Sequence, residues 1–134
     1  MKMISDTEEE LRRESKAIST FVKLFNGRYE KLSSSDIDYK IFDSSNKLIA
    51  YVEVVSRFKS IKDPYPLPIH LKKLIKLYDK ILNPTIIWSC DDGIIYGKLR
   101  GLVGQIKYGS HPLSEQELYS FFDKQKEFKY VRYS

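Results

Sequence analysis

The sequence predicts an α/β domain in which helices flank a mixed central β-sheet, and three observations indicate this class. The chain has 134 residues, of which 42% are hydrophobic, enough for one core and too few for two domains. We therefore expect a single domain over residues 1–134. Segments of alternating hydrophobicity are interleaved with amphipathic segments of helical period. Their order is helix, three strands, helix, two strands, helix, which is typical of an α/β sandwich.

The first helix is predicted to begin at Asp6 or Thr7 and to run to about Asn26, where Asn and Gly favour a stop. Glu14 lies one turn before Ile18 and is expected near the packed side of the helix. The helix has one apolar stripe, formed by Leu11, Ile18, Phe21, Val22 and Phe25.

A short strand over 28–32 leads into a hairpin, which carries the candidate site. If its turn is centred between Ser45 and Asn46, residues whose numbers add to 91 face each other, so Asp38 faces Glu53. Opposed residues on antiparallel strands have Cβ atoms about 4.5–5.5 Å apart, and like charges there are destabilising. A divalent cation removes that repulsion, so we interpret the pair as a candidate metal site. The alternative is a different register in which Glu53 is an ordinary solvated residue.

The alternation in the hairpin separates two faces. Asp38, Glu53, Val55 and Arg57 share one face, so acids and a base gather at one end of the strand pair. The other face is predicted to be the core and contains Ile37, Tyr39, Ile41, Leu48, Ala50, Val52 and Val54.

The remaining elements are predicted from proline, turn and capping signals. Residues 101–109 are ambiguous. The others are an extended segment at Pro64, Pro66 and Pro68, a helix over 69–82, strands over 85–90 and 94–99 joined at Asp91-Asp92-Gly93, a capped helix over 114–124 and a strand over 128–133.

Charge and cysteine content limit the function classes. The chain has 23 basic and 18 acidic residues and a net charge of +5, which is compatible with a polyanionic partner. Cys90 is the only cysteine, which excludes an internal disulfide and a zinc ribbon, so we expect a cytoplasmic setting. No apolar run has the length of a bilayer span or a secretory signal, and we expect no membrane association.

The order of helix, Asp-bearing strand, Glu-bearing strand, helix and apolar strand between Glu14 and Leu99 resembles the PD-(D/E)XK nuclease superfamily. The resemblance implies a restriction-endonuclease-like core, a mixed sheet flanked by helices, and Mg²⁺ as the cofactor, with Mn²⁺ as a substitute. It implies that Asp38 and Glu53 bind the metal with the backbone carbonyl of Val55, and that Glu14 contributes from the first helix. No proline precedes Asp38.

The main departure from the superfamily pattern is Val55, which occupies the position of the lysine. A cation is needed because phosphodiester hydrolysis builds negative charge on the phosphoryl oxygens. Three residues are candidates to replace the lysine: Arg57, Lys72 and Lys73. The extended Tyr65-Pro66 followed by a helical lysine is similar to phage-type members in which the lysine has moved to the second helix. This favours Lys73 and then Lys72, against the alternative that both belong to a solvated basic helix face.

The resemblance implies a small metal-dependent endonuclease acting on DNA, with a host-cytoplasmic location if the source is viral. Many small nucleases of this kind act as dimers, so a homodimer is also considered. The valine at position 55 motivates a second hypothesis, a catalytically decayed nuclease-fold module that binds nucleic acid or a protein partner.

Overall fold

The computed structural model describes residues 5–32, 39–80, 82–100, 104–108, 118–122 and 128–133. It contains two helices and nine strands within those ranges. In chain order they are α1 (Ser5–Lys23), β1 (Arg28–Lys31), β2 (Tyr39–Phe42), β3 (Leu48–Ser56), β4 (Leu67–His70), α2 (Leu71–Tyr78), β5 (Pro84–Ser89), β6 (Gly93–Lys98), β7 (Gly104–Tyr108), β8 (Leu118–Phe122) and β9 (Lys129–Arg132).

Six strands form a mixed sheet in the order β1-β2-β3-β5-β6-β9. The central pair, β3 and β5, is parallel, and the other neighbours are antiparallel. This confirms the predicted α/β class with a mixed sheet flanked by helices. A second, antiparallel sheet of order β4-β8-β7 was not predicted.

The hairpin of β2 and β3 has the predicted register. Tyr39 pairs with Val52, and Ile41 pairs with Ala50, before the register shifts at Phe42. The turn is closed by Asp43, whose Oδ1 accepts hydrogen bonds from the backbone N–H groups of Ser45 and Lys47. Asn46 adopts a φ of 66°, which asparagine tolerates better than most residues. Asp38 lies outside the described residues.

The central strands of the large sheet are buried on both faces, and each face has its own core. Every residue of β5 is buried, as expected for a strand next to a parallel partner in the middle of a sheet. The face toward α1 packs Ile18, Phe21, Tyr39, Ile41, Val52, Val54, Ile87 and Ile94. The face toward α2 and the second sheet packs Leu67, Ile69, Leu74, Leu77, Ile86, Trp88, Ile95 and Phe122.

Two helix predictions are wrong in extent or type. The predicted helix over 114–124 is contradicted at 118–122, where β8 pairs with β4 on one side and β7 on the other. Two ladders of main-chain hydrogen bonds and an aromatic-rich segment favour a strand over local helix propensity. The predicted helix over 69–82 is shortened to α2, because Ile69 and His70 pair with β8.

Other element predictions agree more closely. The first helix ends at Lys23 and a turn follows to Asn26, which has a φ of 57°. The strand predicted over 128–133 is β9. Within the described ranges, neither helix is long and apolar enough to cross a membrane.

Candidate active-site cleft

A cleft of about 440 Å³ opens between α1, the carboxyl half of β3, and the junction of β4 with α2. It brings together four residues that the sequence analysis singled out: Glu14, Glu53, Val55 and Lys73. These residues come from three different elements. Val54 also lines the cleft. Val54 packs in the core toward α1, whereas Val55 packs against the core on the opposite face of the sheet. The cleft therefore reaches both faces of the sheet at this end of β3.

Glu53 is a buried carboxylate, with only 3% of its surface exposed. It lies in the middle of the sheet, where β3 pairs with Ile86 of β5. Oε2 of Glu53 is 3.3 Å from Nζ of Lys73. A buried carboxylate is costly unless a cation or hydrogen bonds balance it. The alternative that Glu53 is a solvated strand residue is therefore wrong.

Lys73 supplies a positive charge beside Glu53, in the cleft that Val55 also lines. It is in the first turn of α2, and its side chain is 41% exposed, so it bridges the buried carboxylate and the solvent. Val55 itself is half-buried against the core under α2. The adjacent Lys72 is exposed and does not line the cleft, because successive helical residues project in different directions.

Glu14 enters the cleft from α1 and is held by two contacts. Its Oε1 accepts a hydrogen bond from the Tyr39 hydroxyl at 3.0 Å and lies 3.3 Å from Nζ of Lys31. Both contacts involve the same oxygen. The helix is thereby tied to the first two strands of the sheet at the level of the cleft.

Arg13 fixes α1 against the carboxyl ends of the two parallel strands. Its Nη2 donates to the backbone oxygens of Arg57 at 3.2 Å and Ser89 at 3.1 Å, and its Nη1 lies 3.3 Å from Oδ1 of Asp91. The Ser89 hydroxyl donates back to the carbonyl of Arg13. These contacts set the position of the glutamates on α1 relative to β3.

Arg57 lies outside the cleft lining. Its guanidinium is almost completely buried, with the residue 4% exposed. Nη1 donates to the carbonyl of Ser60 at 2.8 Å, and Nη2 donates to the carbonyls of Asp63 at 2.8 Å and Tyr65 at 2.9 Å. The structure thus places this arginine at the centre of the loop between β3 and β4, where it organises the loop backbone.

Oxygen donors at the cleft are of the type that Mg²⁺ prefers, namely carboxylates and a backbone carbonyl. Within the described ranges, the cleft is lined by the carboxylates of Glu10, Glu14 and Glu53 and by Val55, whose backbone carbonyl is a further oxygen donor. No group of three or more His, Cys, Asp or Glu side chains placed to hold a metal ion occurs in the described part of the chain. Because Mg²⁺ usually retains several waters, one or two carboxylates suffice for it. The donor set therefore fits a hydrated Mg²⁺.

Two other residues, His70 and Phe58, also line the cleft. His70, which is not among the site residues predicted from the sequence, lines the cleft at the start of α2. Phe58 lines it from the loop after β3 and is 61% exposed. Alternation predicts apolar residues to be buried, so no sequence signal indicates an exposed phenylalanine at this position.

Comparison of the chain with protein-family models, with curated proteins and with solved structures found no match.

Proposed function

We propose that this protein is a metal-dependent endonuclease that hydrolyses phosphodiester bonds of DNA. One observation carries the proposal. Glu53 is buried at the base of a cleft, the ammonium group of Lys73 lies 3.3 Å from it, and Glu14 lines the same cleft from α1. This is the combination that the resemblance to the PD-(D/E)XK superfamily implies, with the lysine on the second helix instead of at Val55.

The order of elements supports the same proposal. In the chain, α1 precedes β2 and β3, and α2 then precedes the buried strand β5, which lies beside β3 in the sheet. The superfamily resemblance implies that order of helix, two carboxylate-bearing strands, helix and apolar strand. The pairing of Tyr39 with Val52 also belongs to the register in which Asp38 was predicted to face Glu53.

In the proposed mechanism, Mg²⁺ would be held by Asp38, Glu53 and the backbone carbonyl of Val55, with Glu14 contributing from α1. When bound, the ion would supply charge neutralisation at the phosphate and a lowered pKa for a bound water. Lys73 donates a hydrogen bond to a phosphoryl oxygen and stabilises the negative charge that develops there. Glu53 keeps this ammonium group positioned before the substrate binds.

The basic character of the chain supports a polyanionic substrate. The net charge is +5, and α2 carries exposed Lys72 and Lys76 close to the cleft residue Lys73. Such a helix attracts a phosphate backbone without reading its sequence. The superfamily resemblance also allows a homodimer, and sedimentation equilibrium tests this part of the proposal.

The experiment is cleavage of labelled single-stranded, duplex, flap and four-way-junction DNA with Mg²⁺, Mn²⁺ or EDTA. We expect metal-dependent cutting by the unaltered protein and loss of cutting in Glu53→Ala. Glu30→Ala is the matched control, because Glu30 is an exposed glutamate on β1 that pairs with Arg28. Retained cutting by Glu53→Ala in purified samples would contradict the assignment.

The packing of Val55 favours the second candidate, a nuclease-fold module that binds without cutting. Its side chain packs against the core under α2 and offers no charge to a phosphate. This candidate predicts salt-sensitive DNA binding without turnover under any of the metal conditions. Cutting that depends on the metal and on Asp38 would exclude it.

A further inference from the structure

An exposed aromatic ring stands at the mouth of the cleft. Phe58 is 61% exposed, whereas the preceding residue, Arg57, is 4% exposed. A single exposed apolar side chain is common on protein surfaces. Phe58 differs because it lines the same cleft as Glu53 and Lys73 and because its backbone and ring are both fixed.

The backbone on both sides of Phe58 is held by hydrogen bonds to the end of β5 and the turn after it. The N–H of Arg57 donates to the carbonyl of Ser89 at 2.8 Å, and the N–H of Asp91 donates to the carbonyl of Lys59 at 3.0 Å. Between them, the N–H of Lys59 donates to the carbonyl of Arg57 at 2.8 Å. The buried guanidinium of Arg57 anchors the rest of the loop, so the position of Phe58 is set before any ligand binds.

The ring itself is backed by a cation. Cζ of Arg13 lies over the Phe58 ring, 4.4 Å from its centroid. The guanidinium of Arg13 is in turn held by the carbonyls of Arg57 and Ser89. A ring held in this way loses little conformational entropy when a planar ligand stacks on its open surface, which favours binding.

We infer that Phe58 is a stacking platform for an unpaired nucleobase, and that the cleft therefore prefers single-stranded over fully paired DNA. The inference rests on the proposed function of the cleft and adds the substrate class. Every nucleobase has an aromatic face, so stacking on a fixed ring binds single strands without sequence preference. In a duplex these faces are already stacked, and exposing one costs free energy.

Binding is measured in EDTA, so that cleavage does not contribute. The probes are a fluorescein-labelled oligothymidylate, the same backbone with abasic units, and a blunt duplex of equal length, followed by fluorescence anisotropy at fixed salt. We expect the oligothymidylate to bind more tightly than either comparison probe. Phe58→Ala and Phe58→Leu should each weaken its binding about tenfold and leave the duplex affinity nearly unchanged. Phe58→Trp should retain the affinity for the oligothymidylate.

Tyr78→Ala is the matched control, because Tyr78 is 51% exposed on α2 and does not line the cleft; it should bind like the unaltered protein. If the unaltered protein bound the thymidylate and abasic probes with equal affinity, that result alone would overturn the inference. Unchanged binding in Phe58→Leu would overturn it as well. Cleavage that needs Glu53 but not Phe58 would defeat this inference and leave the nuclease proposal intact. Binding that depends on Phe58 but is not followed by cleavage would contradict the nuclease proposal and leave this inference intact.

Discussion

The ammonium nitrogen of Lys73 lies 3.3 Å from Oε2 of Glu53 and connects the first turn of α2 to the middle of β3. The two residues are far apart in the chain, and the carboxylate is buried while the lysine is partly exposed. Lys73 and Val55 line the same cleft, so the helix places a lysine in the cleft where the strand has a valine. The fold therefore provides a second route by which positive charge can be placed beside this carboxylate.

Lys73 and Lys72 provide a matched pair for testing this charge. Lys73→Met should lower the rate of phosphodiester cleavage about 100-fold or more, because one donor to the developing phosphoryl charge is lost. Lys72→Met should stay within about twofold, because an exposed lysine outside the cleft adds only general attraction to the phosphate backbone. Single-turnover cleavage rates at saturating protein measure both. Equal losses in the two variants would contradict a specific role for Lys73.

The same ion pair predicts an asymmetry in stability. Lys73→Met should lower the free energy of unfolding by about 1–3 kcal/mol, because a buried carboxylate loses its ammonium partner. Glu53→Gln should have a smaller effect, since it also removes the cost of burying the charge and leaves a lysine that can be hydrated. Urea denaturation of both single variants and the double variant measures the coupling. Additive effects would show that the pair contributes no interaction energy.

Arg57 is expected to stabilise the folded state. Its guanidinium donates to three carbonyls of the loop between β3 and β4, those of Ser60, Asp63 and Tyr65. Arg57→Met should therefore cost about 3 kcal/mol in unfolding free energy. Arg57→Lys should recover only part of it, because a single ammonium cannot reproduce the planar fork of donors. Thermal and urea unfolding test this, and full recovery by lysine would contradict it.

Asp92 is expected to contribute to stability in a way that depends on pH. Its pKa is lowered from the ordinary value of 3.8, first by the N–H of Ile61 and then by the hydroxyl of Ser60, both at 2.8 Å. A lowered pKa in the folded state means that the stabilisation is complete above the unfolded pKa and is lost as pH falls through the folded value.

Unfolding temperatures of the unaltered protein and Asp92→Asn, compared from about pH 6 to about pH 2.5, measure this contribution. The unaltered protein should lose more stability than the variant over the acidic part of that range, because the amide cannot be protonated there. Parallel curves for the two proteins would show that Asp92 makes no such contribution.

The hairpin shows how much of the structure local sequence determines. The turn at Asp43–Lys47 and strict alternation around it fix the pairing of Tyr39 with Val52, since a slip by one residue would move the whole apolar set to the other face. The same alternation placed Glu53 and Val55 together on the face opposite the core toward α1. The α/β class and most strand positions also follow from such local periodicity.

The tertiary structure decided the features that depend on contacts between distant segments. The formation of β8 and the burial of Glu53 both depend on segments that are distant in the chain. The residues next to them in the sequence do not indicate which segments these are. The placement of Lys73, and not Lys72, in the cleft depends on the rotation of α2 against the sheet. The exposure of Phe58 depends on how Arg57 and Arg13 hold its loop. By itself the sequence thus determined most of the secondary-structure elements and the types of side chain that could act at a site. Three-dimensional packing decided which of those side chains meet in the cleft, because burial and proximity are properties of the folded chain.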